Sequence, residues 1–278
     1  MSNLETVLFW ITLGIYAIVC GGFIYSIVFK NERPLPKLTA LLTAGLVLHS
    51  ATIAVRFAST GHLPWSGDYE YALMGGWFII AASLFVARRT KEMQPVAAAT
   101  VPLVVVMMGY GVMRNPTLTP MAASLKTGWL YIHVYFAWLS FCSYTLAMAA
   151  GVMYLLKRPA AGDQSQHPFY DRFPSLERLD ELIFRYIVFG FVTDSIMLVA
   201  GSIWAEGLWG SYWNWDPVET WSLISYLIYG IIIHLRVTMG CKGTKQAWLA
   251  VAALTTVVIS FFGVTFVVNS SLHVFQVR

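Results

Sequence analysis

The stretch Trp204–Trp221, WAEGLWGSYWNWDPVETW, carries five of the chain's eleven tryptophans within eighteen residues. Tyr212 lies among them, and Glu206, Asp216 and Glu219 are interleaved. It is flanked by the apolar runs 182–205 and 218–238. Each run is long enough to cross a bilayer, which takes about 20 predominantly apolar residues of helix. The aromatic stretch therefore reads as a loop between two membrane spans. So much rigid aromatic surface at that place serves either as an interfacial anchor or as a platform for a large flat ligand.

The rest of the chain agrees with that reading. Charged residues make up 12% and hydrophobic ones 58%, against roughly 25% charged in soluble domains. The mean hydropathy is +0.64. This excludes a soluble enzyme and predicts an all-α, polytopic membrane helix bundle. Eight segments qualify as spans: 6–29, 38–58, 70–87, 95–113, 129–156, 182–205, 218–238 and 247–268. Residues 1–278 read as a single integral membrane domain. The N-terminus has no basic region or small-residue cleavage site, so the run from Thr6 reads as a retained span. The longest connector, 157–181, is polar, contains Pro159, Gly162, Pro168 and Pro174, and ends in SLERLDEL, a candidate amphipathic surface helix.

Lys and Arg set the orientation. Fourteen of the eighteen fall in odd-numbered connectors or at their edges, among them Lys30, Arg88, Lys157, Arg172 and Lys242. Those connectors are expected on the cytoplasmic side, with both termini and the loop 204–221 on the outer (periplasmic) side. The net charge of +4 thus reports topology, and no nucleic-acid partner is expected. Cys20, Cys142 and Cys241 are far apart and form no C-x-x-C pair, so neither a thiol-redox motif nor a disulfide framework is present.

Topology sorts the histidines by depth. His133, in TGWLYIHVYF, and His273, in NSSLHVF, are 140 residues apart, yet both fall at the outer surface with the aromatic loop. Two neutral imidazoles flanking an aromatic platform suit bis-histidine ligation of a haem iron. Each alone could equally cap a helix or hydrogen-bond at the interface. His234, in YGIIIHLR, lies on the span that follows the loop, about 22 Å of helix rise beyond Glu219. An ionisable residue inside a span is a functional-site hypothesis by default, with an interhelical hydrogen bond as the alternative. His49, mid-span in LVLHSATIAVR, could pair with His234 or serve structure alone; it lies roughly 7–10 Å further from the cytoplasm by helix rise. Asp194, in FGFVTDSIML, needs a hydroxyl, His or Arg partner inside the membrane. Asp216, Pro217 and Glu219 have the residue types of a helix N-cap, N1 and N3. Capping does not explain Trp209, Trp213 and Trp215 just before them. His62, in GHLPWSGDYE, supports the platform or simply marks a turn.

The run WAEGLWGSYWNWDPVETWSLISYLIYGIIIHLR resembles the tryptophan-rich "WWD" signature of the haem-handling cytochrome c biogenesis family that includes CcsA (also called ResC), CcmC and CcmF. The likeness is to the CcsA branch. His234-x-Arg236 ends the helix after the motif, His133 precedes the motif in an aromatic span, and Ser271-Leu272-His273 follows the last one. Gly61-His62-x-Pro64 with Tyr69-Glu70 fits the same pattern. Departures are Val218, where the family often has Lys, and the residues between Pro64 and Tyr69.

The resemblance implies a system II cytochrome c synthase (haem lyase) subunit in the bacterial inner membrane, or a thylakoid-type membrane in a plastid. Its work would be haem export and presentation to an apocytochrome c carrying C-x-x-C-H. A CcsB (ResB) membrane protein and a thioredoxin-like thiol reductant would be its partners. His133 and His273 would hold the outer haem b (Fe protoporphyrin IX), with Trp209, Trp213, Trp215 and Asp216 around it. His234 would hold a membrane haem, its second ligand coming from CcsB or, less directly, from His49. No acid/base catalytic residue is implied. The alternatives are a CcmC-like haem transporter serving a chaperone, a transporter of another flat solute, and a structural subunit anchored by its tryptophans.

Overall fold

A computed structural model describes residues 1–114, 116–118, 121, 125–161 and 168–264, with the side chains of 159–161 and 168 left aside. Every regular element among them is helical. Eight are long and apolar enough to span a membrane, so this is a multi-pass membrane protein. They are built on α1 (Asn3–Val28), α2 (Leu35–Thr60), α3 (Asp68–Arg89), α4 (Ala97–Arg114), α5 (Gly128–Ala161), α6 (Leu176–Trp209), α7 (Pro217–Met239) and α8 (Thr244–Val258), the fourth span running Lys91–Arg114 and the eighth Thr244–Gly263. A short 3₁₀ segment (Lys91–Val96) leads into α4, and a π-helical turn (Ile259–Gly263) continues α8.

Most helices run a few residues past the apolar segments that predict them. Hydropathy registers the membrane-facing stretch and misses the polar turns that complete a helix. The largest difference is in α6. SLERLDEL is not a separate surface helix: α6 starts at Leu176 and continues unbroken into the span. Ser175 accepts the Arg178 amide at 3.1 Å, and neither Gly nor Pro occurs between 176 and 189, so nothing stops propagation. At 34 residues, α6 is about 51 Å long and outruns a hydrocarbon core of about 30 Å.

The chain divides into two units. The first comprises 1–120 and 152–179. Here α1 buries Glu5, Phe9, Thr12, Tyr16, Val19, Phe23 and Ser26. Its partner α2 buries Leu35, Leu38, Leu42, Gly45, His49, Thr52 and Arg56. Both sets alternate steps of three and four, the spacing that keeps one stripe facing a neighbouring helix. The apolar stripe ends in a polar cluster. Arg56, 2% exposed, donates through Nε to Glu70 at 2.8 Å and lies 3.4 Å from Glu5. Its other donors reach the Pro116 and Thr117 carbonyls at 2.9 and 2.7 Å. Tyr69 donates to Glu5 at 3.0 Å. Arg56 is one of the four Lys and Arg residues outside the odd-numbered connectors, a charge expected on the outer side; here it is a buried tie.

The second unit comprises 121–151 and 180–278. Asp194 on α6 receives the expected interhelical hydrogen bond, from the Tyr144 hydroxyl of α5 at 3.2 Å. Tyr144 stacks on Tyr229 of α7 with ring centroids 3.5 Å apart. At the far end of α7, Arg236 pairs with Asp180 at 2.7 Å and donates to Gln246 at 2.6 Å. Asp180 also accepts the Gly243 amide at 2.6 Å. One ion pair thus joins α6, the end of α7 and the turn into α8.

Candidate functional site

His133 lies in the second turn of α5 and is half-buried. Its Nδ1 lies 2.9 Å from the Met197 carbonyl on α6. A carbonyl only accepts, so Nδ1 carries the hydrogen and the neutral ring's lone pair sits on Nε2. One turn on, Gly201 makes this approach possible: a Cβ there would lie 2.5 Å from His133 Nδ1 and 2.8 Å from Cε1. One further turn on, Trp204 stacks on the imidazole, centroids 6.1 Å apart and planes 25° off parallel. Met197, Gly201 and Trp204 follow the i, i+4, i+7 spacing of one helix face. Trp204 is buried and packs edge-on against half-buried Trp209 at 5.4 Å.

Beyond Trp209 the chain turns at Gly210, whose φ is +72°. A second aromatic pair follows, Trp213 edge-on to Trp215 at 5.9 Å and 85°. Trp213 is half-buried and its indole nitrogen has no hydrogen-bond partner among the described residues. Trp215 is 70% exposed and has a φ of +56°. Left-handed backbone is strained for a bulky residue, at a cost of order 1–3 kcal/mol. The cap expected at 216–219 is present. Asp216 accepts the Val218 amide at 2.9 Å, Glu219 returns to the Asp216 amide at 3.2 Å, and Pro217 occupies the first helical position. Asp216 is buried at this cap, with Tyr212 exposed nearby in the loop.

His234 is on the exposed face of α7, which it shares with Ile224, Leu227 and Ile231. His49, in the other unit, is fully buried, and its Nδ1 lies 3.2 Å from the Tyr16 hydroxyl. His62 sits in the turn before α3, with Nδ1 2.8 Å from the Leu63 carbonyl and 4.0 Å from Glu70. His273 and His167 lie outside the described residues. Within the second unit, then, the structure brings His133 against Trp204, which packs on Trp209, and orders the loop through Trp213, Trp215 and Asp216. Sequence reasoning misses Gly201 and the stacking role of Trp204. The available signal is a glycine three residues before a tryptophan in a span, since small residues mark close helix contacts in membranes.

Residues 65–273 match the family described as Cytochrome C assembly protein. The chain belongs to that family. It is similar to the cytochrome c biogenesis protein CcsA of Porphyra purpurea, with 29% identity across 89% of this chain and 90% of the relative. The CcsA of Prochlorococcus marinus (strain NATL1A) is 30% identical over 80% of this chain and 79% of its own length. That of Synechococcus sp. (strain RCC307) is 29% identical over 81% and 80%. The family match contains His133, the loop 204–221, His234 and His273, and leaves out α1 and α2 with His49 and Arg56.

Proposed function

We propose that this protein handles haem in cytochrome c maturation, presenting it on the outer side of the membrane to apocytochrome c. The observation that carries the reading is the set of His133. A ligating histidine characteristically donates its other ring N–H to a carbonyl or carboxylate, which fixes tautomer and ring plane. The Met197 carbonyl does this for His133, and Trp204 supplies a flat surface alongside. Membership of the cytochrome c assembly family supports haem as the substrate.

In this reading His133 and His273 hold the outer haem b, and Trp209, Trp213, Trp215 and Asp216 form the rest of its surround. His234, exposed on α7, serves a second haem in the membrane. Its partner ligand comes from a CcsB chain. Haem supplies two vinyl groups, and each apocytochrome thiol adds its S–H across one of them to make a thioether. The protein's own contribution is positioning, which alone raises effective concentration by orders of magnitude. The thiols are kept reduced by another protein, and both termini face outward.

Purification with CcsB tests this directly. The pair should show haem absorption that falls with His133→Ala and returns when imidazole is added to His133→Gly. If His133→Ala and His273→Ala keep both the absorption and the yield of cytochrome c, the reading is wrong. Cytochrome c formed only with an added haem chaperone would make the chain a haem transporter of the CcmC kind.

A further inference from the structure

Trp215 holds the least comfortable backbone in the loop, and a single carboxylate surrounds it. Glu219 Oε2 accepts the Asn214 amide at 2.8 Å and the Asp216 amide at 3.2 Å. An ordinary capping box needs only the second bond. The first reaches back across Trp215, so one oxygen gathers the amides on both sides of the residue with φ +56°. Glu219 is 8% exposed and sits in the first turn of α7, where the helix dipole favours a carboxylate. Charge-assisted bonds of this kind are about twice as strong as neutral ones. They can hold a conformation that an indole would otherwise leave. The consequence is an indole 70% exposed, steadied on its inner edge by Trp213.

We infer that Glu219 is the positioning residue for Trp215: by holding the Asn214 and Asp216 amides it fixes the left-handed turn and presents the indole as a rigid face for the flat substrate of the outer loop. The functional half rests on the haem reading above; the conformational half does not. A purely capping Glu219 would matter to α7 alone. It would then be equivalent to Asp216, whose side chain caps the same helix through the Val218 amide.

The test reads the Asn214 amide itself. Full-length protein labelled with ¹⁵N-asparagine is reconstituted with CcsB in nanodiscs, and hydrogen exchange at Asn214 is followed. Glu219→Ala should speed that exchange about tenfold, the loss expected for a hydrogen bond to a charged group. Glu219→Gln, which keeps an acceptor, should restore most of the protection, and Asp216→Ala should leave it in place. Unchanged exchange in Glu219→Ala, or equal acceleration in Asp216→Ala, overturns the inference. The functional half is read from haem occupancy by absorption. Trp215→Gly adopts the positive φ freely, so it should keep Asn214 protected yet lose occupancy. Adding Glu219→Ala to it should cost nothing further, as for residues acting through one another. Additive losses overturn that half. A parent protein that binds no haem refutes the haem reading and leaves the exchange result standing.

Discussion

Gly201 decides whether His133 can be where it is. The hydrogen bond to Met197 and the stack on Trp204 both require the imidazole to lie against α6 with no Cβ between. Gly201→Ala would place a methyl 2.5 Å from Nδ1. The ring must swing away, while overpacking costs the fold only about 1–3 kcal/mol. Haem absorption should therefore drop as in His133→Ala, with the helical circular dichroism unchanged; full absorption in the alanine variant would disprove the geometric role. Arg56 governs a different place. It is the buried cation between Glu5 and Glu70, and Arg56→Met leaves both carboxylates without it. Breaking such a pair from one side costs about 3–5 kcal/mol. Thermal unfolding in detergent should show that loss, and Glu5→Gln, which keeps an acceptor, should cost less. The sequence marks His133 by its aromatic surroundings. Nothing in the letters around Gly201 or Arg56 says which atoms they will meet, because most of those atoms lie more than 50 residues away.

At the scale of the element, α7 shows how much local chemistry can be read directly. Its start needs only Asp216, Pro217 and Glu219, and its end only Gly240, which takes a φ of +65° at the cap. Both are contacts within a few residues; spacing predicts the N-cap, and the Gly240 cap is found in the structure. Asp216→Ala should cost about 1 kcal/mol and Asp216→Ser close to nothing, measured as the shift in unfolding midpoint. An equal loss from both would mean that the side chain does something other than cap. The first turns of α6 show the converse. LERLDEL is polar enough to read as a surface helix, yet it belongs to the span helix. Polarity locates the water; it does not end a helix, and a terminator is what this stretch lacks.

For the whole molecule, the positive charge bias makes a prediction that does not depend on packing. On a background without Cys20, Cys142 and Cys241, an impermeant maleimide outside intact cells should label Leu63→Cys and Ser211→Cys, and Glu32→Cys only after permeabilisation. The reverse pattern would turn the protein over and put the aromatic loop on the cytoplasmic side. Eight spans were legible in the sequence because the requirement is one-dimensional: a backbone crossing lipid must satisfy its own hydrogen bonds within a helix of sufficient length. The tryptophan-rich loop and His133 were legible for a related reason, since an unusual residue density needs no partner to be noticed. Side-chain partners were not. Hydropathy is blind to which stripe of a helix faces which neighbour, and the contacts between α5 and α6, or among Glu5, Arg56 and Glu70, join residues distant in the chain. Composition and local spacing are enough to fix the membrane class, the span count, the aromatic loop and the N-cap of α7. Which nitrogen of His133 carries the proton, which residue leaves room for it and how Trp215 is held follow from packing alone, because each depends on the distance between atoms brought together by folding.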